Sequence, residues 1–402
     1  MKSRRQFAES LAATLSSRSV NFAPDGLGPQ RFESGDSEAD EYRPLGFTIA
    51  PGKQPYLLAL CRVSGVEVQD TIADQLREWI KCSATDVSEV KSESAIAARV
   101  ARELAATDGD TGAYGVWFYY PWRQTVVHVL PAQPYALVRS NRNRNKITYA
   151  EQQKVWRARI GVIGLSVGHA AAMVLAQEGL CGQLRVADFD VLELSNLNRL
   201  RTTVFNLGTK KTTIAARDLA EIDPYLEVRV FSEGVRLHNV DEFLAGPDGR
   251  EPLDLLVEEC DSLDVKLLAR ERARTHGIPV VMDTNDRGLL DVERFDREPN
   301  RPLLHGLMGD LDYERAQDLI KNGAPSARMA VFSAFFGGRE QMSARFRESL
   351  DLLGTKLLGA SQLASDVHLG AALVANSARR ILLDELQGSG RYTIDLDVLI
   401  KD

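Results

Sequence analysis

The stretch Arg159–Lys211 constrains the fold more than any other: RIGVIGLSVGHAAAMVLAQEGLCGQLRVADFDVLELSNLNRLRTTVFNLGTKK. An apolar run, Ile160 to Ile163, passes through a small-residue turn (Gly164, Ser166, Gly168) into an Ala-rich segment that stops at Gly179. A second apolar run, Leu184 to Ala187, closes on Asp188. Strand, glycine turn, helix, strand and an acid about 20 residues on outline a nucleotide-binding βαβ unit. Such a unit needs neither Asn196, Arg199 nor Lys211 for its fold, so these polar residues call for a separate reason.

The rest of the chain sets that unit in context. Its 402 residues predict two or three domains at about 100–200 residues each. From Arg159 to about Asp283 short apolar strands alternate with helices, predicted at 168–178, 209–222 and 262–276. This pattern makes a mostly parallel sheet with helices on both faces. The fold class is therefore α/β, Rossmann-like, with a smaller N-terminal α+β domain and a C-terminal helical extension. The expected boundaries are a helix and linker over 1–45, the α+β domain over 46–140, the nucleotide-binding domain over 141–310 and the extension over 311–402. Within the α+β domain, Tyr56–Cys61 reads as a strand and Asp70–Lys81 as a helix, with a hairpin around Pro121-Trp122-Arg123. GLLDVERFD reads as a strand pair and Tyr392–Leu399 as a strand, while the small-residue helix at Leu363–Leu386 suits a core or a dimer contact.

Net charge is −7, which argues against nucleic acid or an anionic membrane as partner. No apolar run reaches the ~18 residues of a membrane span, and Glu9 and Ser10 break the N-terminal apolar stretch, against a signal peptide. The four cysteines, Cys61, Cys82, Cys181 and Cys260, form no CxxC pair. That argues against a disulfide framework or a cysteine zinc site and fits a reducing cytoplasm.

Each motif has more than one reading. The glycine turn matches a dinucleotide fingerprint at Gly164 but has Ser166 and His169 at the next two glycine positions, with Gly168 adjacent. Phosphate binding at the helix N-terminus, a dinucleotide site and a purely structural turn all stay open. Asp188, at a strand end, suits ribose hydroxyls or faces solvent, and Asp190 is placed to point the same way. Arg199 offers a fork for phosphate oxygens. Lys211 falls in the first turn of a helix, where a cation opposes the helix dipole, so a bound anion explains it better than stability does. Asp261 follows the fourth strand and suits either Mg²⁺ or a helix N-cap. The basic run RSNRNRNK at 139–146 reads as a solvated linker.

These residues carry a resemblance. ADFDVLELSNLNRL (Ala187–Leu200), Gly208–Lys211 and, loosely, Glu259-Cys260-Asp261-Ser262 resemble the DFDxVELSNLNRQ, GxxK and DCTDN elements of the ubiquitin-activating-enzyme/ThiF (MoeB-like) adenylyltransferase family. The similarity covers roughly 142–290. A closer likeness, to ThiF-like proteins of the nitroreductase-fused type, rests on NRNRNKIT (141–148), GLSVGH (164–169), DRGLLDVERFD (286–296), QLASDVHLGAA (362–372) and SGRYTIDLD (389–397). The resemblance implies ATP and Mg²⁺, with Asp188 on the ribose, Arg199 on the β and γ phosphates, Lys211 near the α phosphate, Asn196 orienting the phosphates and Asp261 on Mg²⁺. It implies a homodimer in which Arg144 (or Arg142) reaches across to the γ phosphate. The implied reaction is adenylylation of a carboxylate, either a peptide or small-protein C-terminus or a small acid. The sequence departs from the family in three places. It has no CxxC zinc pairs, it has no cysteine after Cys260 to carry a thioester, and Ser166, Val167 and His169 stand where the family has glycines. The last departure leaves two rivals: a non-catalytic ThiF-like scaffold or peptide-binding protein, and an NAD- or flavin-linked redox partner.

Overall fold

The computed structural model describes residues 3–15, 20–22 and 41–400; most of the linker expected within 1–45 lies outside them. The chain divides into two compact units, one over 1–149 with 220–227, the other over 150–219 with 228–402.

The first unit holds α1 (Arg4–Leu15), β1 (Val20–Phe22), β2 (Leu45–Ile49), α2 (Gln54–Ser64), β3 (Glu67–Asp70), α3 (Ile72–Cys82), α4 (Glu93–Glu103), β4 (Val116–Tyr120), β5 (Thr125–Val129) and α5 (Ala132–Arg139). Its five-stranded sheet runs β1-β2-β4-β5-β3, antiparallel except for the parallel β3–β5 pair. β4 and β5 form the expected hairpin. The core joins Phe7 and Leu11 of α1, Leu57 and Cys61 of α2, and Phe47, Trp117 and Tyr119 of the sheet.

One expectation fails here: Tyr56–Cys61 is helical, within α2. Pro55 at the helix start and the left-handed Gly65 at its end bound a helix, and the buried Leu57 and Cys61 are four residues apart, one turn of an α-helix. The apolar outer residues Tyr56, Leu58 and Val63 are exposed and mask that period in the sequence.

The second unit continues with α6 (Tyr149–Val155), β6 (Arg159–Ile163), α7 (Gly168–Glu178), β7 (Gln183–Ala187), α8 (Lys211–Ile222), β8 (Glu227–Phe231), α9 (Val240–Ala245), β9 (Leu255–Glu258), α10 (Leu263–His276), β10 (Val280–Asp283), β11 (Leu289–Glu293), α11 (Tyr313–Asn322), α12 (Pro325–Phe336), α13 (Ala344–Asp351), α14 (Ala364–Leu382), β12 (Gly390–Thr393) and α15 (Leu396–Leu399). α8 runs on into the segment counted with the first unit. The seven-stranded sheet has the order β12-β11-β10-β9-β6-β7-β8. Pairs β6–β7, β6–β9 and β9–β10 are parallel, and β11 and β12 add antiparallel strands. β10 is apolar up to Asp283, as a strand covered on both faces requires, whereas β7 also buries Gln183 and Arg185, and Arg185 Nη1 donates to the Phe243 carbonyl at 2.8 Å. This is the α/β, Rossmann-like sheet that the alternation predicts.

GLLDVERFD supplies one strand, β11, rather than a pair, because its partners come from β10 and the distant β12. The final strand stops at Thr393, where Asp395 caps the short α15. α14 is a core helix, with Gly370, Ala371, Ala375 and Ala378 buried against its neighbours.

Strand order reverses between β6 and β9. In an open α/β sheet the crevice outside the carboxyl ends at that point is where ligands bind. β6 ends at Ile163 and β9 at Glu258, and their two exits are joined by the Glu259 amide donating to the Ile163 carbonyl at 2.8 Å.

Candidate nucleotide site

Two glycines set the floor of this crevice. Gly164 leaves β6 at φ +85, and a Cβ there would meet the Cys260 backbone at 2.6 Å. Only glycine lets the two strand exits approach so closely. Gly168 opens α7, and a Cβ on it would lie 2.6 Å from Val162 Cγ1. It therefore supplies the close helix-on-strand packing that a fingerprint assigns to the next position. His169 is accommodated beside it, buried, with Nε2 3.1 Å from Asp218 Oδ2.

Asp188 leaves the neighbouring strand and pins the turn. Its Oδ2 accepts from the Leu165 amide at 2.7 Å and its Oδ1 from the Asp190 amide at 2.8 Å. Burial pushes this carboxyl above its usual range, against the pull of the Lys211 charge. The bonds to the turn are a structural task that the sequence did not suggest.

Lys211 is the centre of the cluster. It is 5% exposed, and its Nζ donates to Ser166 Oγ at 3.0 Å and to Asp190 Oδ2 at 2.8 Å. The Lys211 amide donates to the Asp190 carbonyl at 2.9 Å, which fixes the first turn of α8 beside β7. Glycine turn, strand-end acids and lysine thus converge, although the lysine is distant from the turn in sequence.

Asn196 and Arg199 sit in the connection between. Asn196 Oδ1 accepts from the Glu193 amide at 3.1 Å in a capping box that closes the short 3₁₀ helix Leu194–Asn198. Arg199 Nη1 donates to Asn198 Oδ1 at 2.8 Å, and among the described residues its buried Nε has no hydrogen-bond partner. Burial lowers the affinity of this guanidinium for its proton, while the Asp261 charge acts the other way. Asp261 is exposed, and Ser262 rather than Asp261 holds the N-cap position of α10. Arg144 belongs to the first unit, where it is exposed and donates from Nη2 to the Cys82 carbonyl at 3.0 Å.

A buried charge network lies behind β9, unannounced in the sequence. Glu258 receives Lys266 Nζ at 3.1 Å and pairs with Arg270, whose Nε reaches Glu293 at 3.0 Å. Against burial, which raises it, the two cations hold the Glu258 carboxyl below its usual range. The available signal was Lys266 and Arg270 at four-residue spacing on the apolar side of α10. Asp283 and Asn285 were also missed, although Asp283 ends β10 as Asp188 follows β7.

Residues 140–299 match the ThiF family model. The chain carries a ThiF family domain. An uncharacterized protein of Mycobacterium tuberculosis (strain CDC 1551 / Oshkosh) is 46% identical over 284 residues, 71% of this chain and 38% of that protein. The ubiquitin-like modifier-activating enzyme 5 of Drosophila willistoni is 26% identical over 37% of this chain and 38% of its own. The tRNA threonylcarbamoyladenosine dehydratase 2 of Saccharomyces cerevisiae is 33% identical over 32% of this chain and 28% of its own. The chain thus spans well under half the length of these curated relatives. Among solved structures, the E. coli tRNA N6-threonylcarbamoyladenosine dehydratase in complex with ATP matches at a TM-score of 0.44 and 17% identity, covering 62% of this chain and 96% of that one. No helix among the described residues is long and apolar enough to cross a membrane.

Proposed function

We propose that the chain adenylylates a carboxylate with ATP. The observation that carries this reading is Lys211: a buried cation in the first turn of α8, held between Ser166 of the phosphate turn and Asp190 next to Asp188. A lysine so placed opposes its own helix dipole and is best explained by an anion in the crevice. The ThiF domain supports ATP as the source of that anion.

In the proposed step a substrate carboxylate oxygen attacks the α phosphorus in line. The bond from that phosphorus to the bridging oxygen of the β phosphate breaks, and pyrophosphate leaves with its electron pair. The product is a mixed acyl–phosphate anhydride. Lys211 and Arg199 hold the phosphates and offset the charge that grows on the leaving oxygens, so positioning and electrostatics supply most of the effect. Asp188, its carboxyl fixed by two backbone amides, keeps further lone pairs for ribose hydroxyls. Asn196 braces the connection that carries Arg199.

Asp261 would hold Mg²⁺. One exposed carboxylate beside a guanidinium suits this ion, which is bound through one or two carboxylates plus substrate phosphates. When bound, Mg²⁺ would neutralise phosphate charge. Arg144 is the proposed contribution from a second copy in a homodimer. The substrate would be a peptide or small-protein C-terminus or a small carboxylic acid, and the reducing cytoplasm is the proposed compartment.

The departures at Ser166, Val167 and His169 favour a second reading, a ThiF-like scaffold without turnover. Pyrophosphate release separates the two. The activity reading expects release that depends on ATP and on an added carboxylate and is lost in Lys211→Ala. Binding of ATP with no release for any member of a panel of peptides and small acids would favour the scaffold.

A further inference from the structure

A second cavity in the same unit opens beyond the carboxyl ends of β9 and β10. It measures about 90 Å³, room for several waters or a small organic group. Glu259, Cys260, Asp283 and Asn285 line its polar side, and Phe332, Phe336 and Phe346 line the other. The rings form a contiguous row, with centroids 5.0 Å apart for Phe332–Phe336 and 5.2 Å for Phe336–Phe346. Asp261 is shared between this lining and the nucleotide crevice.

The polar side is unusual in what it leaves unsatisfied. Asp283 is 3% and Asn285 7% exposed, yet Oδ1 of each has no hydrogen-bond partner among the described residues. A buried acceptor without a donor costs about 1–3 kcal/mol, so these two oxygens have a reason to be open. Glu259 Oε1 accepts from the Asp283 amide at 2.9 Å. The lining cation cannot serve them, because Lys266 Nζ is held by both oxygens of Glu258, at 3.2 and 3.1 Å, and faces Phe335. Burial pushes Asp283 up to about 7, and Asp366 adds to this. The cavity therefore presents two unpartnered buried acceptor oxygens beside π faces, with the amides of Asn285 and Gln362 also in its lining. A group that brings several N–H donors and positive charge on an apolar stem complements both sides.

We propose that this cavity is the subsite for a primary ammonium group of the substrate, so that the carboxylate to be activated belongs to an amine-bearing acid. The identification with the substrate rests on the activity proposed above; the amine preference rests on the cavity alone. On binding, the ammonium donates to Asp283 and Asn285 and lies against Phe332 and Phe336. Asp283 gives up its proton to solvent as the cation enters.

The test is calorimetric titration of the whole chain at pH 7 with n-butylammonium chloride, against butan-1-ol and sodium butyrate as near-isosteric probes. Each titration is repeated in two buffers of different ionisation enthalpy. The proposal expects saturable binding of the ammonium probe only, proton release on binding, and affinity about tenfold or more lower in Asp283→Asn. Asn285→Ala provides a second variant should Asp283→Asn fail to fold, and it should weaken binding without abolishing proton release. Equal binding of butan-1-ol, preference for butyrate, or no saturable binding of the amine to folded protein overturns the proposal. A parallel ATP titration separates the two readings. Amine binding without ATP binding leaves the subsite standing and removes the activity, and the reverse result does the opposite.

Discussion

The second unit contains two clusters of buried charge that answer differently to the same physics. Behind β9, Glu258, Lys266, Arg270 and Glu293 pair among themselves, and Arg270 has a carboxylate on either side. At the crevice, Lys211 has only a hydroxyl and the half-exposed Asp190, and Arg199 keeps a buried Nε without a partner. Removing ions from water costs several kcal/mol each unless partners compensate. The first cluster pairs each of its charges from within, although Glu293 Oε1 has no hydrogen-bond partner among the described residues, and it serves the fold. The second is compensated in part, which suits a site completed by a phosphate. Counting buried charges would not have distinguished them; counting their partners does.

The largest effect should come from the compensated cluster. Arg270→Ala leaves Glu293 buried without its cation and Glu258 with Lys266 alone, and should cost about 3–5 kcal/mol in urea denaturation. A loss under about 1 kcal/mol would show that the network is not the structural member of the pair. Next comes Gly164→Ala, which adds a Cβ at φ +85 against the Cys260 backbone. It should destabilise by roughly 2–4 kcal/mol and weaken ATP binding together. Stability lost with ATP affinity intact would uncouple the strand exits from the nucleotide.

A pH-dependent term sharpens the contrast. The Asp283 carboxyl is raised in the folded chain to about 7, from the ordinary carboxylate value near 4 in the unfolded one. The folded state then binds more protons across that window, so this group's contribution to stability falls as pH rises through it. Thermal melts should show wild type losing stability relative to Asp283→Asn between pH 4 and about 7, and a constant difference would contradict the assignment. The smallest stability effect belongs to Arg199→Met, within about 0.5 kcal/mol by thermal melts, because its buried Nε has no bond to lose and its Nη1 bond to Asn198 is exposed. Its ATP affinity should nonetheless fall about tenfold to a hundredfold.

The sheet was legible because short apolar strands alternate with helices and because Gly179 and Gly277 mark helix ends by adopting left-handed backbone. The segment α2 was not, since an apolar run of its length suits a strand as well as a helix when its exposed face is also apolar. Of the candidate site, the convergence of Ser166, Asp190 and Lys211 follows from the βαβ topology together with the polar residues after it. The Gly168 packing was only half visible, because the fingerprint expects glycine one position later. Asp283 and Asn285 escaped notice because they lie beyond the resemblance's strongest block. What makes them unusual, two buried oxygens without donors, is a property of the packed structure and not of residue type.

The claim on which the rest depends is that the Lys211 cluster holds the phosphates of ATP. Calorimetric titration of the whole chain with ATP and magnesium tests it directly, with Lys211→Ala measured alongside. The account predicts saturable binding of one ATP per chain, weakened about tenfold or more in a variant that still melts cooperatively. Folded wild-type protein that takes up no ATP at millimolar concentration, or a variant that binds as tightly as wild type, would contradict it.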